Sequence, residues 1–473
     1  MKSMKRIVSV VLLVVMLFAF AACGGNEENP SGTSTGDYDF DGATITIYCD
    51  ENTGSGDDNE NFLSYASSSV EAETLQERIA QMEEDYNCTI EVTTVATDIE
   101  KQVSSLIASN SKDSVDIIFA RSYYLRKWGN ADYLVDVNEY SDIVDYTDSF
   151  RWGTKNTLEL LTCNGKMIGV TPACFVDQLP PFYYVIVSND KLVMDAGFLD
   201  PNVYLEEGTW NRDTFIQMID ECTDASRGIY GLDTGVETFL TLSMLSNGAK
   251  IYDETTGRTG FRGTAAVNGL SWGVDVLNNH SASIYLNDDF HEMLYAGNAA
   301  LGTCDAVETS KTVAKNTSIS DSTNNTGFSI LNFPYGPDVS EEDEANVACG
   351  YISTTLNALC IPIIASDVEM SAVVMETLFR PLDIYPDFES LKAYYKNSIY
   401  WDDNDVELIY SLAEKAEYNY WVEGFSNVLD TIANNAMTNG ANAALESVVN
   451  TIDNMLTQNG IIENKEGFAT YWE

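Results

Sequence analysis

Only two histidines stand in the sequence, His280 and His291, eleven positions apart. The zinc pattern H-E-x-x-H needs two imidazoles one helical turn apart, and it is absent. No two of the nine cysteines form a C-x-x-C pair, which removes the commonest metal and redox spacing. Gly32-Thr-Ser-Thr-Gly36 spells the G-x-S-x-G of a nucleophile elbow. An elbow needs a strand before it and a helix after it, and its neighbours are polar residues, glycines and Pro30. Ser188-Asn-Asp-Lys191 spells S-x-x-K without the S-D-N and K-T-G that complete an acylating site. Asp37-Tyr-Asp-Phe-Asp-Gly42 opens like a calcium loop, yet its twelfth position, where a bidentate glutamate is required, is Tyr48. A carboxylate pair for glycoside hydrolysis cannot be singled out among 73 acidic residues. No nucleophile, metal or cofactor constellation is therefore expected, and an enzyme is not the expected class.

What remains is recognition chemistry. In open α/β sheets, ligands bind beyond the carboxyl ends of the strands, so the candidates are residues that follow expected strands. Asp50 and Glu51 follow the first; Arg121, Ser122, Tyr123 and Tyr124 follow the third. Phe175 and Asp177 stand where the chain leaves the first sheet, Asp305 ends a later strand, and Tyr351, Ser353 and Trp401 lie near later crossings. Carboxylates accept hydrogen bonds from hydroxyls, arginine donates several, and aromatic faces cover the apolar faces of sugars. Together these suit a carbohydrate.

The elements that must position them are legible in the hydrophobic spacing. Thr44 to Tyr48 and Thr89 to Thr93 alternate and are β-branched, so they read as strands. Between them, Leu75, Ile79, Met82 and Tyr86 fall on one helix face, opened by a Ser68-Ser-Val-Glu71 capping box. Ile99, Val103, Leu106 and Ile107 predict a second helix, and Val115 to Phe119 a buried parallel strand. Tyr183 to Val187 begins a second such region. Phe215, Met218, Ile219 and Cys222 mark its helix, while Phe328 to Phe333 and Tyr351 to Ile364 are further strand candidates. Ala413 to Tyr420 and Ala441 to Leu456 have helix-forming composition. Alternating strands and helices predict an α/β fold with mostly parallel sheets.

The N-terminus carries Lys2, Lys5 and Arg6, then sixteen residues, Ile7 to Ala22, apolar except for Ser9. This is the pattern of an export signal, shorter than a membrane-spanning helix requires. Phe20-Ala-Ala-Cys23 resembles a bacterial lipobox, with phenylalanine where leucine is preferred. The expectation is a signal peptide over 1–22 and a lipidated Cys23, on a tether over 23–39 too polar to bury surface. The net charge of −48 argues against nucleic acid and against charge-driven docking on anionic lipid. Eight cysteines remain after Cys23, several in apolar runs where a thiol behaves as a small hydrophobe.

The order of the motifs resembles the extracellular solute-binding proteins of the maltose-binding type, family 1, over roughly residues 43 to 460. A β-branched run at Asn87 to Val92 precedes Ser114-Val-Asp-Ile-Ile118, which stands where the family has P-D-[VI]-[VI]. Ala131 to Val137 echoes G-x-L-x-D-L, and Asn164 to Pro172 echoes D-G-K-x-Y-G-[VI]-P with one extra residue. Val187 to Phe198 and Gly208 to Phe215 are similar to the family's N-K-D-L and T-W-x-E-F segments; in them Gly197 suits a helix C-cap and Asn211 an N-cap. Ala296 to Gly302 and Phe333-Pro-Tyr-Gly-Pro337 complete the series.

The resemblance implies a two-lobed fold of the periplasmic-binding-protein type II class, with a mixed, mostly parallel sheet in each lobe, a hinge and a central cleft. The expected lobes are 40–172 plus 335–380 and 173–334 plus 381–473. It further implies a non-catalytic, monomeric receptor on the outer face of the cell membrane. Such a receptor binds a carbohydrate, an oligosaccharide by expectation, and delivers it to the permease subunits of an ABC importer. A surface-anchored glycan-active hydrolase, and a sensory or structural lipoprotein without a transport role, are the alternatives.

Overall fold

The computed structural model describes residues 38–50, 70–96, 98–175, 182–253, 255–287, 291–305, 327–347, 349–352, 356–398, 403–418 and 425–458. Residues 1–37, with the expected signal, Cys23 and most of the tether, lie outside them, as does Ser68 of the expected capping box.

The N-terminal elements are β1 (Ala43–Asp50), α1 (Val70–Asp85), β2 (Cys88–Val95), α2 (Ile99–Ala108), β3 (Ile117–Arg121) and α3 (Ser122–Asn130). β1 pairs in parallel with β2, Ile45 opposite Ile90, and with β3, Ile47 opposite Ile117. Parallel neighbours cannot be joined by a tight turn, so α1 and α2 serve as the crossovers. Leu75, Ile79, Met82 and Tyr86 are all buried, as their spacing predicts. The third strand begins two residues later than expected. Asp116 bridges the gap there: its N–H donates to Thr46 O at 2.9 Å, and its carboxylate accepts from Thr46 N at 2.8 Å and from Ser366 N at 2.7 Å.

The middle of the chain gives β4 (Phe182–Tyr183), β5 (Val185–Asn189), α4 (Arg212–Glu221), β6 (Tyr230–Thr234), α5 (Val236–Leu245), α6 (Thr264–Asn279), β7 (Ile284–Leu286), β8 (Ala299–Cys304) and β9 (Phe328–Leu331). Asn211 caps α4 by accepting from Asp213 N and Thr214 N, both at 3.0 Å. Gly197 ends the short helix Asp190–Asp195 with φ 97°, a conformation L side chains avoid. The chain closes with β10 (Tyr351–Ile352), β11 (Asn357–Cys360), α7 (Val368–Leu378), α8 (Phe388–Ser398), α9 (Asp403–Lys415), β12 (Glu417–Tyr418), α10 (Phe425–Asn439) and α11 (Ala441–Gln458).

Two mixed sheets form. The first runs β11-β3-β1-β2 with β11 antiparallel to β3; the second runs β9-β5-β8-β6-β7, antiparallel around β5 and parallel over β8, β6 and β7. A third, three-stranded ribbon joins β12, β10 and β4. It explains two departures from the sequence reading. The run Tyr183 to Val187 is split at Tyr184 between two sheets, and the helix expected to reach Tyr420 stops at Lys415 because Glu417 pairs with Tyr351. Pairing with distant strands outweighs local helix propensity here.

The expected lobe boundary at 335 falls inside a stretch that packs on α5. Gly336 N donates to Ser246 O at 3.0 Å, and Asp338 accepts from Asn247 Nδ2 at 2.7 Å. Gly336 and Asp338 thus contact the C-terminal end of α5, and the next strand to join the first sheet is β11. α10 and α11 pack on α5 and α6, beside an aromatic core of Phe215, Phe239, Trp272 and Phe333 with Arg212 stacked 4.0 Å over Trp272. Eight cysteines are free and buried. Among the described residues no helix is long and apolar enough to cross a membrane.

Candidate ligand-binding site

β1 and β3 end side by side, so parallel pairing brings Asp50 and Arg121 to one edge of the first sheet. Arg121 is also the N-cap residue of α3, whose first turn carries Ser122, Tyr123 and Tyr124. Ser122 is fully buried, and its N–H donates to Leu356 O at 2.7 Å. That bond anchors the start of α3 to the entry of β11.

The two tyrosine rings lie 4.1 Å apart, tilted by 48°. Tyr124 stacks in turn on Trp128, 5.9 Å away at 24°, and Trp128 is only 1% exposed. Burial raises the Tyr124 phenol above its ordinary value, helped by its hydrogen bond to Tyr123 and the negative charge of Asp50, while Arg121 opposes. The phenol stays a hydrogen-bond donor at neutral pH. A rigid aromatic pair beside a carboxylate and a guanidinium can cover an apolar ring face and bond its hydroxyls.

The other candidates fare differently. Asp50 is 2% exposed, so Arg121, Tyr123 and Tyr124, all half-buried, form the accessible part of the first group. Phe175 is fully buried, edge-on to Phe379 with ring centres 5.9 Å apart. It serves core packing against Phe379, the residue that follows α7. Tyr351 is 2% exposed and meets Tyr184 edge to face at 6.2 Å. Asp305, half-buried, ends β8 on the edge of the second sheet, where β5 begins just after Tyr184. Glu51, Asp177, Ser353, Trp401 and Cys23 lie outside the described residues.

Three residues escaped the sequence reading. Asn357 is paired with Arg121 at the same sheet edge. It opens an antiparallel strand, so a rule that counts only residues after strands passes over it. Trp128 lies four residues beyond Tyr124, on the same helix face, and that spacing was an available signal. Tyr184 was hidden inside an apparently continuous strand. Among the described residues no cluster of three His, Cys, Asp or Glu side chains is placed to hold a metal.

No protein-family model and no curated protein matches the sequence. Solved structures match over most of it. Maltose-bound MalE3 of T. maritima is 14% identical with a TM-score of 0.55, over 88% of this chain and 100% of that one. The sugar-binding protein MalE of Xanthomonas citri is 13% identical with a TM-score of 0.59, over 89% and 98%. An ABC transporter solute-binding protein from Agrobacterium vitis S4 with bound D-mannitol is 16% identical with a TM-score of 0.53, over 88% and 99%. The chain has the fold these proteins share. It is the two-lobed α/β fold of the periplasmic-binding-protein type, here built on mixed sheets, as found in maltose-binding-protein-like ABC solute-binding proteins.

Proposed function

We propose that this protein is the substrate-binding lipoprotein of an ABC importer, and that it captures a carbohydrate between its lobes without breaking a bond. The observation that carries the reading is the Tyr123–Tyr124 pair beside Arg121 and Asp50 at the strand ends of the first sheet. Similar structures with bound maltose or D-mannitol support a saccharide or a related polyol as the ligand class. An oligosaccharide is the form proposed first. Binding draws the lobes together by hinge rotation, and the closed form is the one presented to the permease. Monomeric action, with Cys23 diacylated and the protein held on the outer face of the cell membrane, completes the proposal; two acyl chains give stable attachment where one is marginal.

The lobes of this proposal shift all three expected crossings, the outer two by two or three residues and the middle one furthest. The first crossing follows Phe175, the second lies between Ile352 and Asn357, and the third follows Leu378. Support comes from β11 pairing with β3 while residues 336–338 bond to α5 and Asn247.

A thermal-shift screen against neutral mono- and oligosaccharides tests the binding claim, since a ligand held only by the native state raises stability by RT ln(1 + [L]/Kd). At least one saccharide is expected to raise Tm in proportion to the logarithm of its concentration. No shift across the panel, with cleavage of any member, would point to the hydrolase alternative. Mass spectrometry of membrane-extracted protein tests the anchor: an unlipidated N-terminus at another residue contradicts it.

A further inference from the structure

We propose that the C-terminal end of α7 is the pivot about which the lobes turn, and that Arg78 is the residue that fixes it. The proposal rests on the two-lobed binding reading.

A helix ends with backbone carbonyls that have no partner inside the helix. At the end of α7 these carbonyls are met by side chains from three different elements. Arg151, on the turn Ser149–Trp152, donates Nη2 to Glu376 O at 2.9 Å. Arg78, on α1, donates Nη1 to Leu378 O at 2.8 Å and to Arg380 O at 2.5 Å, and Nη2 to Pro381 O at 2.6 Å. Cys174 directs its thiol to Phe379 O at 3.7 Å. Two guanidinium groups at the negative end of a helix are also favoured by its dipole.

The same point gathers two crossings of the chain. Ala173 N donates to Arg151 O at 2.8 Å, and Phe175 packs edge-on to Phe379. Residues 173–175 and 379–381 are therefore held at one node. Beyond the second of them the chain reaches the other sheet, where Asp405 on α9 accepts from Ile330 N of β9 at 2.7 Å. In the lobes proposed above each of these two segments stands next to a crossing, so the node is fixed where the lobes join. A guanidinium is a planar fork whose two separate nitrogens here serve three carbonyls; an ammonium offers one nitrogen and lacks that fork geometry. Arg78 is thus a positioning residue, remote from the ligand candidates, that acts through residues 378–381.

The test uses ligand-free protein carrying Cys23→Ser, with spin labels on cysteines introduced by Lys112→Cys, near the first sheet, and Asn434→Cys, on α10; the eight native thiols among the described residues are buried. Wild-type protein is expected to give one narrow interlobe distance distribution. Arg78→Ala is expected to broaden it about twofold, with Arg78→Lys between the two. Hydrogen exchange at the amides of Ala173 and Phe379 is expected to rise together, by about tenfold, in Arg78→Ala. An unchanged distance distribution with a lower Tm would make Arg78 an ordinary helix cap and overturn the proposal. A rise in exchange at Phe379 without one at Ala173 would overturn the joint pivot. If Arg78→Ala does not fold, Arg78→Lys carries the same test with the same two overturning results. None of these measurements involves a ligand, so a failure of maltose or any other saccharide to bind the wild type would sink the binding reading alone.

Discussion

Replacing Arg151 with methionine strips a buried carboxylate of its ion-pair partner. Arg151 Nη1 lies 2.6 Å from Glu376 Oε1, with side chains only 10% and 8% exposed, and a second guanidinium nitrogen holds Glu376 O at 2.9 Å. Leaving one member of such a pair buried alone costs about 3–5 kcal/mol, a large share of the 5–15 kcal/mol that typical domains possess. Removing both charges, as Arg151→Met with Glu376→Met, avoids the uncompensated charge and is expected to return stability to within about 1 kcal/mol of wild type. The pH dependence gives a second reading. Burial raises the Glu376 carboxyl above its ordinary value while Arg151 pulls it down. Without Arg151 it rises further, so the folded variant favours the protonated acid. A raised carboxyl adds stability below its unfolded value and loses it as pH climbs, so the deficit of Arg151→Met grows from pH 5 to pH 8. Urea unfolding followed by circular dichroism and fluorescence measures all of this, provided the two probes coincide. A deficit below about 1 kcal/mol, or a double variant no better than the single one, would refute the reasoning.

Asp190 is buried against Ser188 and Ser329, and burial lifts its carboxyl from the ordinary 3.8 to about 7. That stability is present below the unfolded value and is lost as pH rises toward 7. The advantage of Asp190→Asn over wild type is therefore expected to grow by about 2–3 kcal/mol between pH 5 and pH 8 in urea titrations; a constant difference would contradict it. Tyr123→Ala is expected to weaken saccharide binding by about 1–3 kcal/mol in calorimetry with little change in ligand-free Tm. Tyr124→Ala is expected to lower both, because its ring also packs on Trp128. Equal affinity with a lower Tm for Tyr123→Ala would place that ring in the core. Burial pushes the thiols of Cys174, Cys222 and Cys349 up to about 12, so native protein at pH 8 is expected to leave these three unlabelled by iodoacetamide until denatured. Labelling of any of them in the native state would disprove their enclosure.

Local pattern carried much of the fold. Leu75, Ile79, Met82 and Tyr86 announced α1, and Asn211 announced the cap of α4, because both depend on residues within a few positions of one another. The ribbon of β4, β10 and β12 was not legible. Each of its strands is two residues long and owes its shape to partners as distant as Tyr183, Tyr351 and Glu417. The site divides the same way. Asp50 and Arg121 end strands and the tyrosines follow at once, so a strand-end rule gathers them into the proposed site. The same rule misplaced Phe175, whose burial depends on Phe379 some two hundred positions away, and missed Asn357, which reaches the edge only through antiparallel pairing.

The central claim is capture of an intact saccharide by closure of two lobes. Small-angle scattering with and without a saturating saccharide from the thermal-shift screen, followed by mass spectrometry of the recovered sugar, tests it most directly. The account predicts a smaller radius of gyration on binding, one saccharide per chain, and the sugar recovered unchanged. An unchanged radius at saturation, or a hydrolysed sugar, would contradict it.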